Sequence, residues 1–266
     1  MAAGYERIKK NNNMNLKNKI VFIIAHKYFR GYTSYTEYYI NNINTFYKDS
    51  LIIVVDNNSI NKDDIFDDLK KYDNVVLLDN NIECKFELGA YTVGLQYLIE
   101  NDLYNNYDYI VMTQDTFIIK NQFDFKELYD RNVTACPLVG GIVSHETKFE
   151  HSDKYIPLLE SLGLKDRLDE MTFCWCVSFV ISTSKTEQLF SYLRQINITI
   201  REESCASERY MARILLELND GENYSLDFDH RDSINKYDCH SVDLFSNVST
   251  FFAKRAQQKT ERTNDL

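Results

Sequence analysis

A strict alternation in the first half of the chain constrains its fold more than any other feature. Four short apolar, β-branched runs occur there: Lys19–Ala25 (KIVFIIA), Ser50–Val55 (SLIIVV), Asn74–Leu78 (NVVLL) and Tyr109–Met112 (YIVM). Segments with helical spacing lie between them, over Ser34–Phe46, Lys62–Tyr72 and Leu88–Asn101. Apolar runs of this length without polar alternation suit strands covered on both faces. Strand, helix, strand, helix is the sequence form of a parallel α/β sheet. The expected fold is therefore a mostly parallel, Rossmann-like sheet sandwiched by helices. Ligands of such sheets bind beyond the carboxyl ends of the strands, so the residues just past each run matter most.

Those residues are polar. His26-Lys27-Tyr28-Phe29-Arg30 follows the first run and Asp56-Asn57-Asn58-Ser59 the second. Asp79-Asn80-Asn81 follows the third, and Gln114-Asp115-Thr116 the fourth. The second half loses the alternation. Val133–Val143 and Met171–Ser182 read as strands, and Lys185–Gln195 and Ser207–Leu218 as helices. Ser144–Asp169 reads as a long polar insertion of the kind that covers a site. Residues 1–17 read as a flexible extension and 254–266 as a solvated tail, leaving one domain over 18–253. Within it, 18–120 is the regular half and 121–253 the irregular one.

Composition narrows the function classes. A hydrophobic fraction of 44% with 14% aromatics excludes disorder for most of the chain. The net charge of −10, with no Lys/Arg-rich block, argues against a nucleic-acid surface, which needs a basic face. With only 2 Pro and 8 Gly, turns must be built from Asn, Asp and Ser. The six cysteines form no C-x-x-C pair, so they read as buried free thiols in a reducing compartment. No apolar segment approaches the roughly 20 residues of a membrane span, and no signal-peptide core is present. The expected protein is soluble and cytoplasmic; its oligomeric state is open, a homo-oligomer included.

Each polar cluster has a plain reading beside a chemical one. Asp56 at the end of VVDNNS either closes a turn through its own carboxylate or accepts a hydrogen bond from a nucleobase or ribose. Asn58 belongs to the same turn. In Asn80–Leu95 (NNIECKFELGAYTVGL), Gly89 and Ala90 stand at a helix start, where small residues admit a phosphate or simply a packing neighbour. No G-x-G-x-x-G dinucleotide fingerprint is present. The acids of Arg201–Arg209 (REESCASER) either favour a helix dipole or supply a general base. His26, Lys27 and Arg30 are the local cations for a diphosphate. His230 and His240 sit in an acidic loop (DFDHRDSINKYDCH), as exposed loop residues or as metal ligands. Trp175 in FCWCVSF reads as core, with stacking on a sugar as the alternative. DDIFDD (Asp63–Asp68) reads as a solvated helix face.

Three of these blocks, taken in order, resemble the nucleotide-sugar glycosyltransferases of the family-2 type, which have a GT-A fold. VVDNNS, FELGAY (Phe86–Tyr91) and VMTQDTFII carry the resemblance. The last is similar to the LLLNPDT block of that family. The middle one is similar to the F-D-x-GAY segment of rhamnan-synthesis-type relatives. The likeness covers residues 18–120 in order and 130–220 more loosely.

The resemblance implies a single GT-A-like domain, with a sugar-nucleotide-binding half and an acceptor half. It implies transfer of a hexose or deoxyhexose from a nucleotide-sugar to a hydroxyl of a glycan or other acceptor, in polysaccharide biosynthesis. It implies inversion at the anomeric carbon and a Mn²⁺ or Mg²⁺ cofactor. Asp56 then contacts the nucleoside, and Glu87, Gly89, Ala90 and Gln114 lie along the donor. Asp115 matches the last acid of the Asp-x-Asp metal motif, whose first acid is replaced here by Thr113. A late histidine, His230 or His240, is a further ligand. Glu203, then Glu208, then Glu202 are the candidate bases. Two alternatives stay open at this point. One is a glycosyltransferase-like nucleotide- or sugar-binding protein without turnover. The other is a nucleotidyltransferase, for which HKYFRGY is a poor phosphate loop.

Overall fold

A computed structural model describes residues 19–27, 35–59, 62–119, 121–138, 140–143, 157, 159–164, 171–222, 224, 226 and 252–254. The chain opens with β1 (Ile20–His26), α1 (Thr36–Phe46), β2 (Leu51–Asp56), α2 (Lys62–Leu69), β3 (Val75–Asp79), α3 (Phe86–Glu100) and β4 (Tyr109–Gln114). It continues with β5 (Phe117–Ile119), α4 (Lys126–Asp130), β6 (Ala135–Pro137), β7 (Gly140–Val143), β8 (Met171–Cys174) and β9 (Phe179–Ser182). Then come α5 (Thr186–Leu193), α6 (Arg201–Leu218) and β10 (Phe252–Lys254).

The main sheet has six strands in the order β3-β2-β1-β4-β9-β6. β1, β2, β3 and β4 run parallel, and β9 runs antiparallel to both β4 and β6. The fold is thus the mostly parallel, Rossmann-like α/β sheet with an irregular second half that the alternation predicts. The two strands expected in that half each divide: Val133–Val143 gives β6 and β7, and Met171–Ser182 gives β8 and β9. β7 and β8 pair with each other outside the main sheet, and β10 pairs with β5.

β1 explains why its sequence has no polar alternate. It lies between β2 and β4, and all seven of its residues are buried. Val21, Ile23 and Ala25 join the core that α3, α5 and α6 complete on one face. Ile20, Phe22 and Ile24 join the core beneath α1 on the other. Each such side chain gains roughly 1.5–3 kcal/mol by leaving water, so both faces select apolar residues. α3 is buried almost all round, from Leu88 to Leu98. It sits so close to β1 that a Cβ on Gly94 would lie 2.6 Å from Ile23.

Two expectations change at this level. α6 begins at Arg201 rather than Ser207, so the Glu202–Glu208 acids lie inside the helix and not before it. Its first two turns (REESCAS) carry little apolar spacing, which is why periodicity missed them. The described part of Ser144–Asp169 is not purely polar covering, since Leu159 and Leu164 are buried in the core. Most of that segment, residues 1–17 and the tail beyond Lys254 lie outside the described residues. Among the described residues no helix is long and apolar enough to cross a membrane.

Candidate functional site

The parallel register brings the expected strand ends together. His26 stands beside Asp56, and Asp56 beside Asp79; on the other side Ala25 is level with Gln114. Beyond these ends three side chains, far apart in sequence, meet at His26. Its Nδ1 lies 2.8 Å from Asp115 Oδ2 and 2.9 Å from Thr36 Oγ1, at the start of α1. Its Nε2 lies 3.9 Å from Asp56 Oδ1 and is buried without a hydrogen-bond partner. A carboxylate can only accept, so the proton of the Asp115 contact sits on Nδ1. The Lys27 backbone N–H donates to the same Asp115 oxygen at 3.2 Å. His26 is fully buried, so its ring meets these protein groups rather than presenting a charge to solvent.

Asp56 realises the turn reading. Its Oδ2 accepts the Ser59 N–H at 2.8 Å, and its Oδ1 accepts the Ser59 hydroxyl. Asn58 takes the left-handed conformation (φ 57°) that this turn requires, and its side chain is exposed. Behind the turn, Asn80 Nδ2 donates to Asn57 Oδ1 at 2.7 Å and to Cys84 O at 2.9 Å. Gly89 packs against this loop. A Cβ there would lie 2.0 Å from Cys84 O and 2.6 Å from Asn80 Nδ2. The close neighbour of this glycine is the protein's own chain, and Ala90 beside it is fully buried.

A second cluster lies at the end of β4. Gln114 Nε2 donates to Glu87 Oε1 at 2.5 Å and to the Cys176 carbonyl at 3.3 Å. Ser204 of α6 approaches Glu87 Oε2 at 3.5 Å. The Cys176 N–H donates to Glu208 Oε1 at 2.8 Å. Gln114 and Glu208 thus converge on the Trp175–Val177 turn between β8 and β9, with Glu87 joined to it through Gln114. That turn holds two consecutive left-handed non-glycine residues, Cys176 (φ 53°) and Val177 (φ 51°). A β-branched residue at positive φ is a true outlier and persists only where its surroundings over-determine it. Here Glu208 and Gln114 hold the backbone of Cys176, and the Ser178 hydroxyl donates to its carbonyl at 3.1 Å.

The remaining expected residues fall elsewhere. Glu203 Oε2 accepts the Thr199 N–H at 3.3 Å, which closes the start of α6 as a capping acid does. Glu202 lies in the same turn, with its side chain outside the described residues. Arg30, His230 and His240 are also outside them. Trp175 is partly buried against the core beneath α1. Cys84, Cys136, Cys174 and Cys176 are buried free thiols; burial pushes the Cys174 thiol well up, with Glu208 adding to the effect. The exposed acids of α2 form the solvated face expected of DDIFDD, with Asp67 paired to Lys70. Periodicity gave no sign of Thr36, Ser204 or the Cys176 backbone, because each acts through a contact distant in sequence.

Among the described residues no group of three His, Cys, Asp or Glu is placed to hold a metal ion. Among the described residues, a divalent cation is best matched by Asp115, which accepts the His26 and Lys27 N–H groups through Oδ2. Mg²⁺ commonly takes one or two carboxylates and completes its shell with phosphate and water.

Fold and site define an α/β protein with a Rossmann-like, mostly parallel sheet and a polar centre at the carboxyl ends of β1, β2 and β4. No family model matches the chain, and neither does any curated protein. Several solved structures are similar to it, glycosyltransferases and nucleotidyltransferases among them. One is core-mannan synthase A from Aspergillus fumigatus in its Mn/GDP form, at 9% identity and a TM-score of 0.41, covering 79% of this chain and 73% of that one. Another is 4-diphosphocytidyl-2C-methyl-D-erythritol synthase from Anaerococcus prevotii, at 14% identity and a TM-score of 0.42, covering 79% and 86%. A third is the mannosyltransferase Ktr4p from S. cerevisiae in complex with GDP, at 12% identity and a TM-score of 0.39, covering 74% and 66%. Neighbours this distant assign no role to any residue, and the chemistry rests on the side chains above.

Proposed function

We propose that this protein is a divalent-cation-dependent, inverting glycosyltransferase that moves a sugar from a nucleotide-sugar to a hydroxyl of a glycan. One observation carries the reading. Asp56 and Asp115 flank His26 at the strand ends of a parallel sheet, and a second carboxylate cluster lies between the end of β4 and the Trp175–Val177 turn. The first pair suits a nucleoside diphosphate and its cation; the second suits a sugar and an acceptor hydroxyl.

In this reading Asp115 holds the cation, and the Asp56 turn meets the nucleoside. The cation, when bound, offsets the negative charge of the departing diphosphate. Glu87 and Gln114 accept and donate hydrogen bonds at the sugar. We place Glu208 ahead of Glu203 and Glu202 as the base, because its carboxylate reaches the Trp175–Val177 turn while Glu203 closes a helix end. Glu208 takes the proton of the acceptor hydroxyl as that oxygen bonds to the anomeric carbon. The bond from this carbon to the diphosphate oxygen breaks, and the diphosphate leaves with the electron pair. A single displacement inverts the centre.

Glu208→Gln keeps an acceptor for the Cys176 N–H but cannot take a proton. It is expected to lower kcat by about 10²–10⁴-fold with KM little changed, while Glu203→Gln stays near wild type. The assay is transfer or donor hydrolysis with a panel of nucleotide-sugars and Mn²⁺. Binding without any product would support a non-catalytic nucleotide-binding protein instead. No binding, or equal activity in both variants, sinks the assignment.

A further inference from the structure

The contacts around His26 carry a function that its burial hides. A histidine at the end of a strand facing a diphosphate would ordinarily be read as a cation for that ligand. Here the ring is fully buried, so it reaches a ligand only through another side chain. The groups around it come from four elements. Thr36 comes from the start of α1, Asp56 from the end of β2 and Asp115 from just past β4, with the Phe66 ring of α2 6.4 Å away. Lys27, its chain neighbour, adds a backbone N–H to Asp115.

We infer that His26 is a positioning residue that fixes the Asp115 carboxylate. Its Nδ1–H and the Lys27 N–H both take Oδ2, which fixes the carboxylate through one oxygen and assigns Oδ1 to a cation. Thr36 holds the ring from the helix side. Its hydroxyl shares the Nδ1 proton, which ties the start of α1 to the strand ends. Nε2 has no hydrogen bond to lose and plays no part in the bracket. Carboxylates that bind metals are in turn hydrogen-bonded by outer groups that fix their orientation, and a buried histidine N–H can serve as such a group. The inference rests on the proposed role of Asp115 for its consequence, while the bracket itself can be observed without any ligand.

Three substitutions separate the ring nitrogens. Asparagine places an amide N–H near the position of Nδ1, glutamine places one near Nε2, and leucine supplies neither. Mn²⁺ affinity, measured by titration calorimetry with and without GDP or UDP, is expected to survive His26→Asn. It is expected to fall by about 10–100-fold in His26→Gln and His26→Leu. Thr36→Val removes only the shared hydroxyl and covers the case in which the leucine variant does not fold; a several-fold loss is expected. The ligand-free readout is the long-range ¹H–¹⁵N spectrum of the His26 ring. A protonated Nδ1 whose shift responds to Asp115→Asn supports the bracket. A ring protonated on Nε2 alone, or equal Mn²⁺ affinity across all three substitutions at position 26, overturns it. A wild-type protein that binds neither Mn²⁺ nor nucleotide, yet shows Nδ1–H tied to Asp115, overturns the glycosyltransferase reading and leaves the bracket standing.

Discussion

At the scale of single residues, the site is held by groups that the chain keeps for itself. Gly89 illustrates the point. Its place at the head of α3 could admit a phosphate, but the missing Cβ is replaced by Cys84 O and the Asn80 amide. A backbone carbonyl cannot move aside as a flexible side chain can, so Gly89→Ala must shift the 80–84 loop or the helix start. A loss of about 2–4 kcal/mol is expected, at the high end for overpacking. Urea unfolding of the variant measures it. Asn57 hydrogen-bonds to Asn80, so the strained loop also reaches the Asp56 turn. A Gly89→Ala protein of wild-type stability would mean that the close approach is not a real constraint. The paired left-handed residues Cys176 and Val177 make the same argument from the other side. Roughly 1–3 kcal/mol of strain each is retained at the turn where Gln114 and Glu208 hold the Cys176 backbone.

At the scale of elements, the scarcity of glycine decides how helices stop. α3 ends with Asp102 in the left-handed conformation (φ 50°), with Leu103 N–H donating to Leu98 O at 2.9 Å. α4 ends with Asn132 (φ 64°) and Val133 N–H on Leu128 O; α6 ends with Asp220 (φ 54°) and Gly221 N–H on Leu216 O. All three are Schellman closures that glycine usually supplies. Asp102→Ala should lower stability by about 1–2 kcal/mol relative to Asp102→Gly, since both lose the same side chain and differ only in tolerance of positive φ. Equal denaturation midpoints for the pair would refute that. The reliance on Asn and Asp turns was legible in composition, and β1 to β4 were legible to within two residues because β1, β2 and β4 are buried on both faces and the half-buried edge strand β3 keeps the same apolar run. Less could be read where polar residues form structure. The start of α6 carried no apolar period, and Cys176 and Val177 gave no glycine to signal positive φ. Within the site, His26, Asp56 and Asp115 each stood out at a strand end. Their mutual contact did not, since His26 and Asp115 lie 89 residues apart and only the parallel register joins them.

For the whole molecule, the tyrosines link the two faces of the sheet to its stability at high pH. Among the described residues, buried Tyr39, Tyr47, Tyr91 and Tyr109 stand at joints between elements. Tyr39 of α1 donates to Thr113 Oγ1 on β4 at 3.1 Å, and Tyr47 donates to the Phe123 carbonyl at 3.1 Å. Tyr91 of α3 packs edge-on against Phe179 of β9, and Tyr109 stacks at a tilt on Phe125. Burial pushes all four phenols up, Tyr47 to about 12. In the unfolded chain they ionise near 10, so above that pH the folded state binds more protons than the unfolded one. Stability therefore falls as pH rises. This contribution is intact below about 10 and is lost as pH climbs through the folded values. No buried phenolate can form without opening the core, because its charge has no partner there. The buried set should ionise only above the unfolded value near 10, in one step with the loss of circular dichroism. Absorbance at 295 nm and ellipticity followed together test this. Because Tyr39 anchors on Thr113, two residues before Asp115, any Mn²⁺ or nucleotide binding should vanish in the same step. Ionisation of these four phenols with the fold intact would show that the joints do not hold the two faces together.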